Sequence, residues 1–264
     1  MLSTKPGGGL SKFGSELLDD VITLARRAGA AALELYAADF TVRIKQDASP
    51  VTQADEAAEA LIVSTLGELT PGIPTVCEEA AARGEVPEVA KEFWLVDPLD
   101  GTKEFISRNG QFTVNIALVQ ESQPVLGVVF APALDRLFAG IVGGMSFVEE
   151  SGERRRIACR RPPEDGVTVV SSLSHGDAAA LKAFLSARRV ARSLSAGSSL
   201  KFCMVACGEA DLYPRLGPTM EWDTAAGHAV LTAAGGHVVE LDGRPLAYGK
   251  ARFTNPPFVA AGAR

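Results

Sequence analysis

Histidine and cysteine are scarce in this chain, which has 3 histidines and 4 cysteines among 264 residues. The cysteines are Cys77, Cys159, Cys203 and Cys207. They form no CxxC pair, and too few histidines accompany them to complete a zinc site, so we expect reduced, mostly buried thiols. The histidines are His175, His228 and His237. No serine of a nucleophile elbow lies near them, which disfavours a Ser-His-Asp hydrolase.

The chain also lacks long apolar runs. No uninterrupted run approaches the roughly 20 residues that a helix needs to cross a bilayer. The first 14 residues, MLSTKPGGGLSKFG, have no apolar middle of the kind found in secretion signals. We therefore expect a cytoplasmic protein whose glycine-rich residues 1–14 are disordered.

The chain also has no excess of basic residues, since its formal net charge is −6. This charge disfavours general nucleic-acid binding, which depends on basic surface. An anionic ligand would have to be met by local positive charge or by a metal ion. The one basic run, ERRRIACRRPPEDG at 153–166, is interpreted as a solvated linker or edge strand. The alternative is transient peripheral contact with the anionic inner face of the cell membrane.

The apolar pattern divides the chain into two halves. Apolar residues at spacings of three and four predict helices over 15–38 and 53–69. FTVNIALVQ, VLGVVFAP and RLFAGIVGG then predict an antiparallel meander, whereas strands alternate with helices from VTVVSS at 167 to HVVEL at 237–241. We predict an α/β fold (α+β) with an antiparallel sheet in the N-terminal half and a mixed α/β layer in the C-terminal half. Its two units span 15–150 and 165–264.

Asp97 and Asp100 flank a proline in WLVDPLDGTKEF. They could simply shape a tight turn by accepting backbone N–H groups. Gly101 and Thr102, however, begin a predicted helix, whose first N–H groups form a seat for phosphate. Two carboxylates would repel that phosphate unless cations lie between them, so a divalent metal–phosphate site resolves the conflict.

Other carboxylates are candidates for the same site. Glu78 and Glu79 follow the predicted strand IPTV, although an exposed acidic loop explains them equally well. Asp223 precedes a predicted helix and could be its N-cap. Asp55 could be the capping-box partner of Thr52. Spacing alone does not unite these regions.

The ordered set of Glu78-Glu79, DPLDGT at 97–102 and WDxAxG at 222–227 resembles the three-part signature of the inositol monophosphatase superfamily of lithium-sensitive, Mg²⁺-dependent phosphatases. The resemblance covers most of the chain and implies a layered α-β-α-β-α sandwich of the sugar-phosphatase fold. It implies two or three Mg²⁺ ions, with Asp97 bridging them. The implied ligands are Glu78, Asp97, the backbone carbonyl of Leu99, Asp100 and Asp223.

The same resemblance implies how catalysis works. Thr102, oriented by Asp55, helps Glu78 to position a metal-bound water, and no protein nucleophile is required. The amides of Gly101 and Thr102 can hold the phosphoryl oxygens. Glu78 is preferred over Glu79 because the family places the ligand at the first of its two glutamates.

The second half of the chain bears on the substrate. In SAGSSLKFCMVACGEADLYPR, Ser198 and Lys201 lie at i and i+3 and are expected to share a helix face, while Arg215 ends the next strand. Helix capping and solvated charge are the alternative explanations. Inositol monophosphatases usually read GTTNF where this chain has Gly-Thr-Lys-Glu-Phe at 101–105, and they lack the Leu-Tyr-Pro-Arg of 212–215. In both respects the chain resembles the bisphosphate nucleotidase branch of the superfamily. This implies a substrate site of Leu99, Asp100, Gly101, Thr102, His175, Ser198, Lys201, Arg215 and Asp223.

The implied reaction converts adenosine 3',5'-bisphosphate and water into AMP and phosphate, and its sulfated precursor is a second candidate substrate. The alternatives are an inositol monophosphatase, a fructose-1,6-bisphosphatase and, as a different class, a non-catalytic sensor of the bisphosphate. We expect a small-molecule substrate, a monomer or homodimer, and no nucleic-acid partner. Glu221, just before Trp222, departs from the expected pattern. A carboxylate close to an anionic substrate would alter the affinity for that substrate or recruit another cation.

Overall fold

The computed structural model describes residues 14–37, 42–44, 50–173 and 178–263, with the side chains of 42–44 and 50–52 left aside. The expected disorder of residues 1–14 falls almost entirely outside these ranges. The helices are α1 (Ser15–Ala37), α2 (Gln53–Leu69), α3 (Glu78–Ala82), α4 (Thr102–Ile106), α5 (Ala178–Leu185), α6 (Leu200–Ala206) and α7 (Ala225–Ala233). No helix in the described part of the chain has both the length and the apolar character needed to cross a membrane.

A seven-stranded sheet occupies the first half, in the spatial order β3-β4-β5-β6-β7-β8-β9. It is an antiparallel meander from β4 to β9, of which the sequence predicted the part from β5 to β7, and β3 is added in parallel to β4. A separate pair, β1 (Val42–Ile44) and β2 (Pro50–Thr52), precedes it. The strands are β3 (Thr75–Cys77), β4 (Glu92–Asp100), β5 (Thr113–Gln120), β6 (Gln123–Ala131), β7 (Arg136–Ile141), β8 (Ser146–Glu150) and β9 (Glu153–Arg156).

The basic run begins in β9, which forms one edge of this sheet. All four residues of the strand, Glu-Arg-Arg-Arg, are exposed. The edge-strand interpretation of residues 153–156 is therefore confirmed.

A five-stranded mixed sheet occupies the second half, in the order β11-β10-β12-β16-β14. Strands β10, β11 and β12 are parallel, and β16 lies antiparallel to both β12 and β14. The strands of this half, including the small pair β13 and β15, are β10 (Val167–Ser172), β11 (Val190–Ala196), β12 (Leu212–Arg215), β13 (Thr219–Met220), β14 (His237–Glu240), β15 (Thr254–Asn255) and β16 (Phe258–Ala261).

The layers follow from which faces are apolar. Helix α1 buries Leu18, Val21 and Ala25 at helical spacing, and α1 and α2 pack on one face of the seven-stranded sheet. Helices α6 and α7 lie on its other face and contact the five-stranded sheet, while α5, which has no fully buried residue, joins β10 to β11. This is the predicted layered α/β fold. The division into units at 15–150 and 165–264 stays a prediction, because one apolar core joins residues of both sheets.

Candidate metal and phosphate site

A cavity of about 850 Å³ opens where both halves of the chain meet. Its acidic lining residues are Glu78, Asp97, Asp100, Glu104 and Asp223. Its basic lining residues are Lys103, Lys201, Arg215 and Arg252. Leu99, Gly101, Thr102 and Ser198 also line it. The fold therefore brings Glu78, Asp97, Asp100 and Asp223, which spacing alone did not unite, to one place.

The parallel pairing of β3 and β4 explains how Glu78 reaches Asp97. Cys77 is the register partner of Val96, so the next residues on the two strands emerge side by side at the same edge of the sheet. Glu78 lines the cavity and is partly exposed, whereas Glu79 is only 4% exposed and does not line it. This geometry favours Glu78 over Glu79, in agreement with the sequence-based choice.

The segment that carries Asp97 and Asp100 is an irregularity in the pairing of β4 with β5. Asp97 pairs with Asn115 and Asp100 with Thr113, so one extra residue is accommodated at Pro98–Leu99. The Asp97 carboxylate accepts a hydrogen bond from the Leu99 amide at 3.0 Å. Asp97 thus accepts a backbone N–H as the turn interpretation predicts, but residues 97–100 stay in β4 as a bulge and form no separate tight turn; the bulge sets both carboxylates at the cavity.

Gly101 makes the close approach at the end of this bulge possible. Its φ of 92° is in the left-handed region, and a Cβ there would lie 2.2 Å from the Ser198 hydroxyl oxygen. Helix α4 begins at the next residue, Thr102, whose hydroxyl lies 3.4 Å from a carboxylate oxygen of the buried Asp55. The expected Thr102–Asp55 pair is thus present at the cavity wall.

Asp223 does not cap helix α7. The helix begins at Ala225 with Thr224 as its N-cap residue, and the Asp223 carboxylate instead accepts the backbone N–H of Met220 at 2.9 Å. The N-cap interpretation of Asp223 is wrong, because the carboxylate turns back onto the preceding strand β13. The alternative for Asp55 involves the side chain of Thr52, which lies outside the described residues.

Burial and mutual repulsion raise the pKa values of two of the carboxyl groups. Burial raises the pKa of Asp100 to about 6, with repulsion from Glu78 adding to it and Lys201 and Asn115 opposing it. Burial likewise raises the pKa of Asp223 well above its usual range, with further repulsion from Asp100 and Glu78. A cation among these groups would relieve that repulsion.

The described side chains alone do not enclose a metal ion. No group of three or more acidic, histidine or cysteine side chains in the described ranges is clustered tightly enough to do so. Mg²⁺ commonly takes only one or two carboxylates and completes its shell with water and substrate phosphate. An open set of hard oxygen donors whose negative charges repel one another fits such an ion.

Ser198 and Lys201 border the cavity in a different way from the one predicted. Ser198 lies before α6 with a φ of 51°, so the two residues do not share a helix face. The Ser198 hydroxyl is 2.8 Å from the Asp100 carbonyl oxygen and 2.7 Å from that of Gln111. Lys201 is 4% exposed and donates to the carbonyls of Ala196 and Ser198, and burial lowers its pKa to about 8. Both side chains therefore donate hydrogen bonds to backbone carbonyls within the protein.

Two further predicted contacts can be placed or set aside. Arg215 donates to the Pro218 carbonyl at 2.6 Å, while its buried Nε has no hydrogen-bond partner among the described residues. His175, the remaining predicted nucleotide contact, lies outside the described residues. Of these two residues, the structure therefore places Arg215, and it lies beside the cavity.

A polar network beneath Asp100 was missed from the sequence. Thr113 and Asn115 on β5 lie 3.4 and 3.3 Å from one Asp100 carboxylate oxygen, and Ser199 joins both of them at 2.9 and 2.7 Å. All three network residues are buried. The signal was present in FTVNIALVQ, where two polar residues two positions apart interrupt an apolar strand and so point to one face.

The chain is similar to known proteins over nearly its whole length. The model of the inositol monophosphatase family matches residues 15–261. A protein of Escherichia coli O157:H7 named 3'(2'),5'-bisphosphate nucleotidase CysQ is 50% identical over 247 residues, which is 92% of this chain and 98% of that protein. A relative of the same name from Haemophilus influenzae is 33% identical, over 93% of each chain.

Solved structures give the same picture. The crystal structure of CysQ from Bacteroides thetaiotaomicron, a bacterial member of the inositol monophosphatase family, superposes with a TM-score of 0.81 at 36% identity, covering 96% of this chain and 100% of that one. An IMPase from Thermotoga maritima gives a TM-score of 0.76 at 25% identity, covering 93% and 92%. The similarity thus extends over nearly the whole chain.

Proposed function

The chain belongs to the inositol monophosphatase family, and from that premise we propose that it is a Mg²⁺-dependent 3'(2'),5'-bisphosphate nucleotidase. The family consists of metal-dependent phosphatases, so the protein is a phosphoric monoester hydrolase. The reaction is the hydrolysis of adenosine 3',5'-bisphosphate to AMP and phosphate. The observation that carries the proposal is the convergence of Glu78, Asp97, Asp100 and Asp223 on one cavity that basic residues also line.

In this proposal, Glu78, Asp97, Asp100, Asp223 and the carbonyl of Leu99 hold two or three Mg²⁺ ions. Repulsion among Glu78, Asp100 and Asp223 supports this role, because it is the condition that a divalent cation relieves. When bound, Mg²⁺ lowers the pKa of water and neutralises charge on the phosphoryl oxygens. Phosphate monoesters are so resistant to hydrolysis that rate enhancements of up to about 10²¹ are known in this class.

Thr102 and Glu78 orient the attacking water. Because Thr102 can donate its only hydroxyl proton to Asp55, its oxygen is left to accept a hydrogen bond from the water. The Glu78 carboxylate accepts a hydrogen bond from the other O–H of the water, which orients the water for in-line attack. The amides of Gly101 and Thr102 then donate to the phosphoryl oxygens as charge builds up on them.

The choice of substrate follows from the relatives and from the charges around the cavity. The relatives named as bisphosphate nucleotidases are up to 50% identical, whereas the Thermotoga maritima IMPase is 25% identical. A second phosphate needs cationic groups that an inositol monophosphate does not, and Lys103, Arg215 and Arg252 line the cavity besides Lys201, which donates to two carbonyls. Inositol phosphate and fructose 1,6-bisphosphate remain the alternative substrates, and the sulfated precursor of adenosine bisphosphate is a second nucleotide substrate.

A substrate panel tests the proposal. Phosphate release is measured with Mg²⁺ from adenosine 3',5'-bisphosphate, its sulfated precursor, inositol 1-phosphate and fructose 1,6-bisphosphate. We expect the highest kcat/KM for the bisphosphate nucleotide. A preference for the inositol ester or the sugar would contradict the proposal, and tight binding of the nucleotide without turnover would indicate a sensor.

The metal-ligand assignment is tested by Asp100→Asn. This change keeps the shape of the side chain and removes its charge, so we expect kcat to fall by at least about 100-fold with the fold unchanged. The matched control is Asp135→Asn, since Asp135 is an exposed turn residue outside the cavity lining. Retention of full activity by Asp100→Asn would refute the assignment.

A further inference from the structure

The Glu221 carboxylate forms hydrogen bonds and an ion pair within the protein and does not contact the substrate directly. Its side chain is fully buried. One carboxylate oxygen accepts the Gly249 amide at 2.7 Å, and the other accepts the Lys250 amide at 3.0 Å and the Lys250 ammonium at 2.7 Å. The cation that Glu221 recruits is therefore Lys250, and the carboxylate clamps the segment 249–253.

The rest of this segment is held equally firmly. The Lys250 ammonium also donates to Asn255 at 3.1 Å and to the Ala247 carbonyl, so its three protons are used. Backbone bonds join Phe253 to Lys250 and Glu221 to Phe253 at 2.9 and 2.7 Å. Phe253 has a φ of 51°, which is rare for a bulky side chain and persists only where the surroundings enforce it.

Arg252 is the residue that this clamped segment presents. It is exposed, it borders the cavity, and its guanidinium makes no hydrogen bond or ion pair with any residue that the structure describes. Lys201, by contrast, is buried against two carbonyls, and Arg215 donates one guanidinium N–H to Pro218 while its buried Nε has no partner among the described residues. Arg252 thus has its full set of donors available to a ligand in the cavity.

The charge of the substrate indicates what Arg252 would bind. The phosphate that reacts would be neutralised by metal held at the carboxylates, whereas the other phosphate brings nearly two further negative charges into a chain with a net charge of −6. A guanidinium matches phosphate oxygens with two parallel hydrogen bonds. A rigid loop lowers the entropic cost of placing that group.

We propose that Arg252 binds the phosphate of the bisphosphate nucleotide that is not hydrolysed, and that Glu221 is the positioning residue that holds Arg252 at the edge of the cavity. This inference rests on the proposed function and adds to it the residue that distinguishes a bisphosphate from a monophosphate. Lys103 is the rival, because it is also exposed and also borders the cavity.

The test compares two substrates that differ only in the second phosphate, adenosine 3',5'-bisphosphate and adenosine 3'-monophosphate. Arg252→Ala should raise KM for the bisphosphate by about 10- to 100-fold, as expected for loss of a charge-assisted hydrogen bond. It should leave kcat for the bisphosphate and kcat/KM for the monophosphate within about twofold. The lost interaction stabilises the bound bisphosphate equally in the ground state and the transition state, and the monophosphate lacks the phosphate that makes it. Arg252→Lys, which keeps the charge and loses the fork, should lie in between.

The matched control is Arg155→Ala, because Arg155 is an exposed arginine on β9 outside the cavity lining. It removes the same charge and should leave both substrates unaffected. An equal loss on both substrates in Arg252→Ala, no loss on either, or a bisphosphate-selective loss in Lys103→Ala but not in Arg252→Ala would overturn the inference. A wild-type enzyme that hydrolyses inositol 1-phosphate in preference to the bisphosphate would instead contradict the proposed function itself.

Glu221→Gln tests the positioning role. An amide cannot accept all three of the donors that the carboxylate accepts, so we expect the same bisphosphate-selective rise in KM with kcat nearly unchanged. If Glu221 acts through Arg252, the double variant should lose no more than Arg252→Ala alone. Fully additive losses, or an equal fall of kcat on both substrates in a variant that is still folded by thermal unfolding, would contradict the positioning role.

Discussion

At the scale of single residues, Asp100 shows how function works against stability. Asp100 is half-buried, and desolvation of its carboxylate raises its pKa to about 6, with repulsion from Glu78 adding to the shift. Thr113, Asn115 and Ser199 hold it in one orientation from beneath. Three neutral polar residues thus keep a repelled carboxylate where a metal ion would need it, since oriented ligands bind metals more tightly than free ones.

His228 predicts a pH dependence of stability. It is 5% exposed and lies 3.0 Å from the Tyr248 hydroxyl, and burial lowers its pKa to about 3 from the usual 6.5. The unfolded chain therefore binds a proton below pH 6.5 that the folded protein refuses down to about pH 3. The stability from the neutral imidazole is complete above pH 6.5 and is lost as the pH falls through this window.

The measurement is the free energy of unfolding by urea at several pH values between 7 and 4. Wild type should lose up to about 1.4 kcal/mol per pH unit more than His228→Gln, because a single proton is linked to unfolding. Parallel curves for wild type and His228→Gln would rule out this linkage.

At the scale of elements, helix α7 couples the packing of the core to the cavity. It begins two residues after Asp223 and lies against β6. Gly127 on β6 allows this approach, since a Cβ there would lie 2.4 Å from the Ala226 carbonyl oxygen and 2.8 Å from the Ala229 Cβ. The contact is with helix backbone, which cannot move aside as a flexible side chain would.

Gly127→Ala should therefore reduce the free energy of unfolding by about 1 to 3 kcal/mol through overpacking. It should also lower kcat, because a shift of α7 moves Asp223. The control is Gly67→Ala in helix α2, where a Cβ meets nothing within 4 Å and the helix should gain about 0.5 to 1 kcal/mol. Urea unfolding and kcat measure both effects, and equal stability of the two variants would contradict the packing argument.

The sequence predicted most elements because their signals are local. Apolar spacing in α1 and α2 and the turns of the meander from β5 to β7 depend on neighbouring residues. Strand β16 was missed, although it lies between β12 and β14 in the second sheet. Its sequence FVAA is short and follows two prolines, and its pairing partners are far away along the chain. Only the folded sheet reveals it.

The candidate site was predictable to a similar degree. Motifs identified the residues that line the cavity, but local propensity gave the wrong environment for two of them. Asp223 does not cap α7, and Ser198 lies outside α6 in a left-handed conformation. Both errors arose because the side chains bond to groups in other elements or turn back on the chain. The roles of the cavity residues in metal and substrate binding stay predictions.

At the scale of the whole molecule, the cavity joins the two sheets. Glu78, Asp97 and Asp100 come from the first half, and Lys201, Arg215 and Asp223 from the second. A ligand that binds all of them is linked to the folding of both halves. Since binding to the folded state adds RT ln(1 + [L]/Kd), a ligand at 100 times its Kd should add about 2.7 kcal/mol.

Thermal unfolding tests this linkage with EDTA, with Mg²⁺ and with Mg²⁺ plus AMP. We expect one cooperative transition whose Tm rises with Mg²⁺ and rises further with AMP. Asp100→Asn should lose most of the shift. Two transitions of which only one responds to the ligands would show that the halves unfold independently.

The exposed arginines of β9 have a consequence for how copies of the protein meet in solution. A sheet edge with unpaired backbone groups is a template onto which another chain can add a strand. If two copies paired edge to edge along Glu153–Arg156, two strands that each carry three arginines and one glutamate, a net charge of +2, would lie side by side. The seven-stranded sheet thus carries a built-in electrostatic barrier to aggregation at this open end.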